Sequence, residues 1–327
     1  MRKSHITASD QGMWQSTIKQ KVSFSGVGIH TGRVASVSLK PADPNAGIVF
    51  YKKCGQGKIS QIPALWKNVV NTHLSTTLGN SDNHQIRTVE HLMAALAGCK
   101  IDNLRIEIEG DEIPVMDGSA YPIVQLIEKA GIVQQDAKRK YIKVLKEITL
   151  LDKNKSVSIQ PSDQSTISCK ISFPNCIIAQ QEHFFDMEED SFGSDISKAR
   201  TFGLYSSIDK LHASGMALGG SLENSVIVNG KKILNEDGLR YKNEFARHKL
   251  LDIIGDLYLA GSPIIGEFKG SQAGHAMTQH LVSDLLSDST SWTFYEKNGR
   301  SEDSQNAIYS LKEAISCLLY TSPSPRD

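Results

Sequence analysis

The chain has 327 residues, enough for two domains, and its 39% hydrophobic and 22% charged residues are an ordinary globular composition. Lys plus Arg and Asp plus Glu both number 36, so the formal net charge is zero, which argues against nucleic acid as a partner. No apolar run approaches the ~18 residues of a membrane helix, and the five cysteines include no C-x-x-C pair, against both a disulfide framework and a cysteine zinc site.

The N-terminus is basic but lacks an apolar h-region, so it is no secretory signal, and reduced thiols in the cytoplasm fit the cysteine usage. Residues 1–17 are polar and aperiodic and are expected to form an N-terminal extension, with Met13 as an alternative start. Strand-like alternation begins near Lys21 and returns at 34–39 and 47–51. TVEHLMAALAGC (88–99) predicts a helix, with Leu92, Ala95 and Leu96 at helical spacing and Gly98 near its end. A strand follows at 101–109, then a helix at 122–130 stopped by Gly131. Together, 18–133 make a first domain, and the charged stretch QQDAKRK (134–140) predicts a linker.

Strands are then expected around 141–151, 155–160 and 165–173, followed by an acid-rich loop at 182–195. Helices are expected at 207–214 and 243–260, a strand at 263–269 and a helix at 274–286, in a second domain spanning 141–316. Both halves run strands, helix, strand, helix, which predicts an α+β protein of two similar layers. The last residues, CLLYTSPSPRD (317–327), resemble a translated sequencing adapter, with a Ser/Pro-rich natural tail as the alternative. The adapter reading implies a natural C-terminus cut near Ser316.

The helix ARHKLLDIIGDLYLAG carries the most chemistry. With His248 at zero and about 100° per residue, Asp252 falls near 40° and Asp256 near 80°, while Leu250, Leu251, Ile253, Ile254 and Leu257 cover roughly 140–300°. A His and an Asp at i, i+4 can share one metal ion. The ribbon also fits a solvated face, although long Lys or Glu are commoner there. Glu90 and His91 open another helix, where neutral imidazole can ligate zinc and the carboxylate can take a proton from a metal-held water. That pair alone is weak, and no H-E-x-x-H is present. His275 in GSQAGHAM suits protonation of a departing amine, with Asp256 to hold it protonated, and Thr201 in ARTFG suits an oxyanion contact. Each has a plainer reading as a helix-end histidine or a turn cap. GVGIHTG (26–32) and LGGS (218–221) match neither a Rossmann nor a P-loop signature and predict tight turns, with His30 as a structural histidine. Leu204, Ile208, Leu211, Met216 and Leu218 fit either a core or an acyl pocket.

Seven segments taken together resemble one family: SGVGIHTG (25–32), RTVEHLMAALAG (87–98), IPVMDGSA (113–120), ARTFG (199–203), LGGS (218–221), LNEDGLRYKNEFARHKLLDIIGDLYLAG (234–261) and GSQAGHAM (270–277). The resemblance is to the UDP-3-O-acyl-N-acetylglucosamine deacetylases, zinc amidases of lipid A biosynthesis in Gram-negative bacteria, and runs colinearly from about Ile18 to about Leu286. It implies His91, His248 and Asp252 as zinc ligands, with ferrous iron able to bind the same set. It implies Glu90 as base, His275 as acid supported by Asp256, and Thr201 at the oxyanion. Phe202, Lys249, Leu74, Ile208 and Gly220 would contact a UDP-acyl-sugar substrate. The implied fold is two α+β domains with helices packed inward between the sheets and a βαβ insert near 203–228 forming an acyl passage, in a monomer of the cytoplasm. Some relatives carry a fused downstream dehydratase domain. Two other readings are a zinc amidase on another N-acyl sugar and an inactive lipid-nucleotide binding protein; the latter needs neither Glu90 nor His275.

Overall fold

The computed structural model describes residues 12–297; the adapter-like segment 317–327 and the expected ends 1–11 and 298–316 lie outside the described residues. Strands Val22–Val27, Val34–Pro41, Leu104–Glu109, Ile48–Lys53 and Ile59–Pro63 form a five-stranded sheet in that spatial order. Alternation sets its faces: Val37 lies opposite Ile108 and Leu39 opposite Ile106, all fully buried. The other face is polar, with Lys40 paired to Glu107 at 2.7 Å. A small sheet of Val69–Asn71, Thr77–Gly79 and Gln85–Ile86 leads into the first helix, α1 (Glu90–Gly98). Helix α2 (Tyr121–Ala130) buries Ile123, Val124, Ile127 and Ala130, exposes Gln125, Glu128 and Lys129, and ends at Gly131 with φ +75°.

The expected linker is a strand. Ile132–Lys138 pairs antiparallel with Trp14–Ile18, so the expected N-terminal extension joins the fold from Trp14 onward. Gln134 and Asp136 are exposed, while Gln135 and Arg139 turn back into hydrogen bonds with the first domain's residues. Gln135 donates to the Ala42 carbonyl at 2.7 Å and accepts from Asn103 at 2.7 Å. Buried Arg139 grips Asp102 through Nε (2.8 Å) and Nη2 (2.6 Å). Hydropathy reads such residues as loop because it does not see their partners.

The second sheet has seven strands: Ile148–Asp152, Lys155–Gln160, Ile264–Ser271, Lys140–Val144 and Trp292–Glu296 in order, with Ser165–Phe173 paired to Ile264–Ser271 and Ala179–Asp186 paired to Ser165–Phe173. The acid-rich loop is therefore shorter than expected. The strand Ala179–Asp186 runs into its first part, with Glu182 and Phe184 exposed and Phe185 and Asp186 buried, and it ends in the short helix α3 (Phe192–Asp195). Phe202–Leu204 then pairs in parallel with Val226–Asn229, with α4 (Ile208–Ala213) between them, the expected βαβ insert. Helices α5 (Glu244–Tyr258) and α6 (His275–Ser287) cover the second sheet: α5 packs on Ser165–Phe173 and Ala179–Asp186, and α6 on Ile148–Asp152 and Lys155–Gln160.

The helices lie inside. α1 touches α2 on one side and α5 on the other, and its residues from Glu90 to Ala97 are all buried. The α1–α5 approach is backbone to backbone at Gly255. A Cβ there would sit 2.1 Å from the Glu90 carbonyl oxygen and 3.1 Å from the Ala94 nitrogen. In an open helix Gly→Ala gains about 1 kcal/mol. Here the overlap reverses the sign, and Gly255→Ala is expected to cost about 1–3 kcal/mol of stability by forcing the helices apart. Chemical denaturation measures this; a variant as stable as the parent would remove the crossing from its central place.

Candidate metal centre and active-site cavity

Helix periodicity places His248, Asp252 and Asp256 on one ribbon of α5, facing the first turn of α1 and the first residue of α6. Glu90, His91, His248, Asp252, Asp256 and His275 meet there, none more than 8% exposed. His91 Nε2 and His248 Nε2 lie 3.6 and 3.4 Å from Asp252 Oδ1. Ligands about 2.0–2.2 Å from one tetrahedral ion stand about 3.4 Å apart, so the three donors fit a shared metal. The imidazoles meet edge to face, with ring centroids 5.0 Å apart. His248 Nδ1 is 3.1 Å from the Ala199 carbonyl, which places its proton there and leaves Nε2 free as a ligand atom. Burial, helped by the neighbouring His91 and Lys249, pushes His248 down to about 3, so its ring is neutral as a ligand must be. Burial opposes ionisation of Asp252, but the Lys249 ammonium, with a hydrogen bond from His91, outweighs it and holds the carboxyl well below its usual range. Lys249 Nζ donates to Asp252 Oδ2 at 2.9 Å.

Beside the cluster stand a carboxylate and an imidazole. Glu90 Oε1 lies 3.9 Å from His275 Nε2, and Glu90 Oε2 accepts the Thr76 N–H at 3.0 Å. Burial raises the Glu90 pKa against the pull of His275 and His91. His275 Nδ1 is 2.7 Å from Asp256 Oδ2. Burial alone would depress His275, but the Asp256 carboxylate, with Glu90, raises it to about 9. The Thr76 hydroxyl donates to Asp256 Oδ1 at 2.6 Å, so one threonine braces both carboxylates.

A cavity of about 760 Å³ opens onto this centre, and His91, His275, Thr201, Phe202, Lys249, Leu74, Ile208 and Gly220 all line it. Leu204 and Leu211 of the insert line it too, while Leu218 is half-exposed beside it. The Phe202 ring stands edge-on to His248 at 6.2 Å, with the Lys249 ammonium 5.8 Å from its centre. A second cavity, about 270 Å³, lies against Ile254, Leu257 and Tyr258 of α5 and holds none of these polar groups.

Sequence reasoning missed four residues. His30, expected to be structural, lines the cavity with a buried Nδ1 that has no partner among the described residues. Asp152 and Lys155 reach the cavity from a strand turn in the second sheet. Thr76 sits in an STT run with no motif. The glycine-rich turn around His30 was the one available signal.

This layout serves addition of water to a carbonyl: metal donors, a buried carboxylate and a cationic imidazole converge at the foot of a largely apolar pocket. The class is a metal-dependent hydrolase. More narrowly, the chain belongs to the UDP-3-O-acyl N-acetylglycosamine deacetylase family, LpxC, whose profile it matches over residues 15–287. It is 46% identical over 280 residues to a UDP-3-O-acyl-N-acetylglucosamine deacetylase of Hahella chejuensis, covering 85% of this chain and 92% of the relative. Proteins of the same name from Myxococcus xanthus and Syntrophotalea carbinolica are 45% and 42% identical, covering 84% and 87% of this chain and 87% and 91% of the relatives.

Asp252→Ala is expected to lower metal affinity by roughly tenfold or more and to leave the His91–His248 pair unbridged. Competition with a chelating dye measures it; unchanged affinity would place the ion elsewhere.

Proposed function

We propose that the protein hydrolyses the 2-acetamido group of UDP-3-O-acyl-N-acetylglucosamine, releasing acetate and the free amine, as the committed step of lipid A biosynthesis. The observation that carries this is the Glu90–His275 pair, 3.9 Å apart, beside the His91–His248–Asp252 cluster at the foot of the insert-lined cavity. Two imidazoles and one carboxylate suit Zn²⁺, with Fe²⁺ as the alternative metal. We place the reaction in the cytoplasm, in keeping with a nucleotide-sugar substrate and with the free thiols Cys54, Cys99, Cys169 and Cys176. A monomer suffices, because one chain supplies every residue of the site. We read the chain as two domains that divide at 134–140 and meet across α1 and α5.

The metal, when bound, supplies Lewis acidity toward the acetamide carbonyl and an attacking water. Glu90 takes the water proton at a carboxylate oxygen; its raised pKa brings it nearer the basicity a general base needs. Thr201, at the cavity wall, donates to the oxyanion. His275, protonated through Asp256, gives its Nε2 proton to the amine nitrogen as the C–N bond breaks. Lys249 and Lys155 bring positive charge to the wall for the diphosphate, Phe202 and Leu74 flank the sugar, and Ile208 and Gly220 border the acyl chain.

Glu90→Gln and His275→Ala are each expected to lower turnover by about 10²-fold or more while one metal ion per chain is kept. Full activity in both would end the assignment. His275 works protonated, so turnover should fall as pH rises through about 9. Asp256→Asn removes the charge that raises His275, so this limb should move to lower pH; an unmoved limb would assign it to another group. A substrate lacking the fatty acyl group but hydrolysed equally well would favour the amidase of another N-acyl sugar.

A further inference from the structure

We propose that Glu112 is a positioning residue that fixes the spacing between the catalytic turn at 88–91 and the acyl-side wall at 217–221, and so sets how strongly a long O-acyl chain promotes hydrolysis. The inference rests on the deacetylase reading above. Glu112 is 1% exposed. Its Oε1 accepts the His30 N–H at 2.9 Å and the Thr88 hydroxyl at 2.8 Å. Its Oε2 accepts the Thr31 N–H at 2.8 Å and the Thr31 hydroxyl at 2.7 Å. Four neutral donors thus surround one buried carboxylate and tie three separate residues to it.

Each side of this bracket leads to the cavity. On the catalytic side, Thr88 has φ +57°, a left-handed conformation that a β-branched residue rarely takes. The bond to Glu112 helps hold it there. Only Val89 separates Thr88 from Glu90, with His91 next in the chain, so the Thr88 conformation sets where α1 begins. On the other side, the loop that Glu112 grips carries the wall. The Ile29 carbonyl accepts the Gly219 N–H at 3.0 Å, and the His30 carbonyl accepts the Leu218 N–H at 3.2 Å. The fit is tight at both faces of the loop. A Cβ on Gly28 would lie 2.3 Å from Glu112 Oε2, and one on Gly219 would lie 2.3 Å from the Gly28 carbonyl oxygen. Ile29, Thr88 and His91 line the same cavity as Ala217 and Gly220.

Only a carboxylate accepts from all four donors. The amide of Glu112→Gln turns an NH2 toward either pair of them and pushes that part of the bracket away. Thr88→Val keeps the branched shape and removes one hydroxyl; Thr88→Ser restores the hydroxyl. The test compares kcat/KM on the long-chain O-acyl substrate with that on the same nucleotide sugar bearing an O-acetyl group, with metal content and thermal stability measured alongside. Glu112→Gln and Thr88→Val are expected to reduce the long-to-short ratio by about tenfold at unchanged metal content, and Thr88→Ser to keep the parent ratio. If Glu112→Gln does not fold, Thr31→Val and Thr88→Val read the same ratio. Equal losses on both substrates, or no change in the ratio, would mean that Glu112 only supports the fold and would overturn the proposal. A parent ratio near one overturns the deacetylase reading and this inference with it; a large parent ratio kept by the variants overturns this inference alone.

Discussion

One missing side chain sets the geometry of the protein. At Gly255, α5 meets the backbone of α1 with no Cβ between them, and the closest atom is the carbonyl oxygen of Glu90. Packed helices commonly stand about 8–10 Å apart, with side chains filling the space between. Removing that layer lets His91 on one helix and Asp252 on the other share one Å-scale cluster. Thr76 adds a second link across the same junction through Glu90 and Asp256. Both sheets act as backing for this crossing: each buries one apolar face and so fixes the helix that carries half of the site.

Burial then acts on the site in a sorted way. The same dry surroundings raise a carboxyl group and lower an imidazole, so desolvation alone would neutralise both Glu90 and His275. Asp256 breaks that symmetry. Its carboxylate lies against His275, keeps the ring charged, and is itself held by Thr76. The effect of burial is therefore overturned at His275 because that ring has a buried anion at its back, not because the exposure of the two groups differs.

The sequence shows some of this and hides the rest for physical reasons. The ribbon His248, Asp252, Asp256 was legible because a helix places i, i+4 and i+8 on one face. The centre of the first sheet was legible because Val37, Leu39, Ile106 and Ile108 alternate with polar neighbours, whereas its edge strand Ile59–Pro63 was not expected. Glu90 and His91 gave little alone, since their partners lie on another helix, and only the combination of family segments joined them to α5. The strand at Ile132–Lys138 was hidden because most of it is exposed, and because Gln135 looks solvated until Asn103 and Ala42 are placed beside it. Thr76, Lys155 and Glu112 were hidden for a related reason: each is one ordinary residue whose meaning lies in contacts far along the chain.

The link from Thr76 to Asp256 spans 180 residues. Chains are synthesised at about 5–20 residues per second, so on the order of ten seconds or more pass between the emergence of its two ends. Throughout that interval α1, buried on every side in the finished protein, has no α5 to cover it. Until then the segment that becomes α1, apolar with a carboxylate and a histidine at its head, lacks the partner that buries it. Hydrolytic capacity therefore waits on the helix ending in Tyr258 and on His275 at the start of α6.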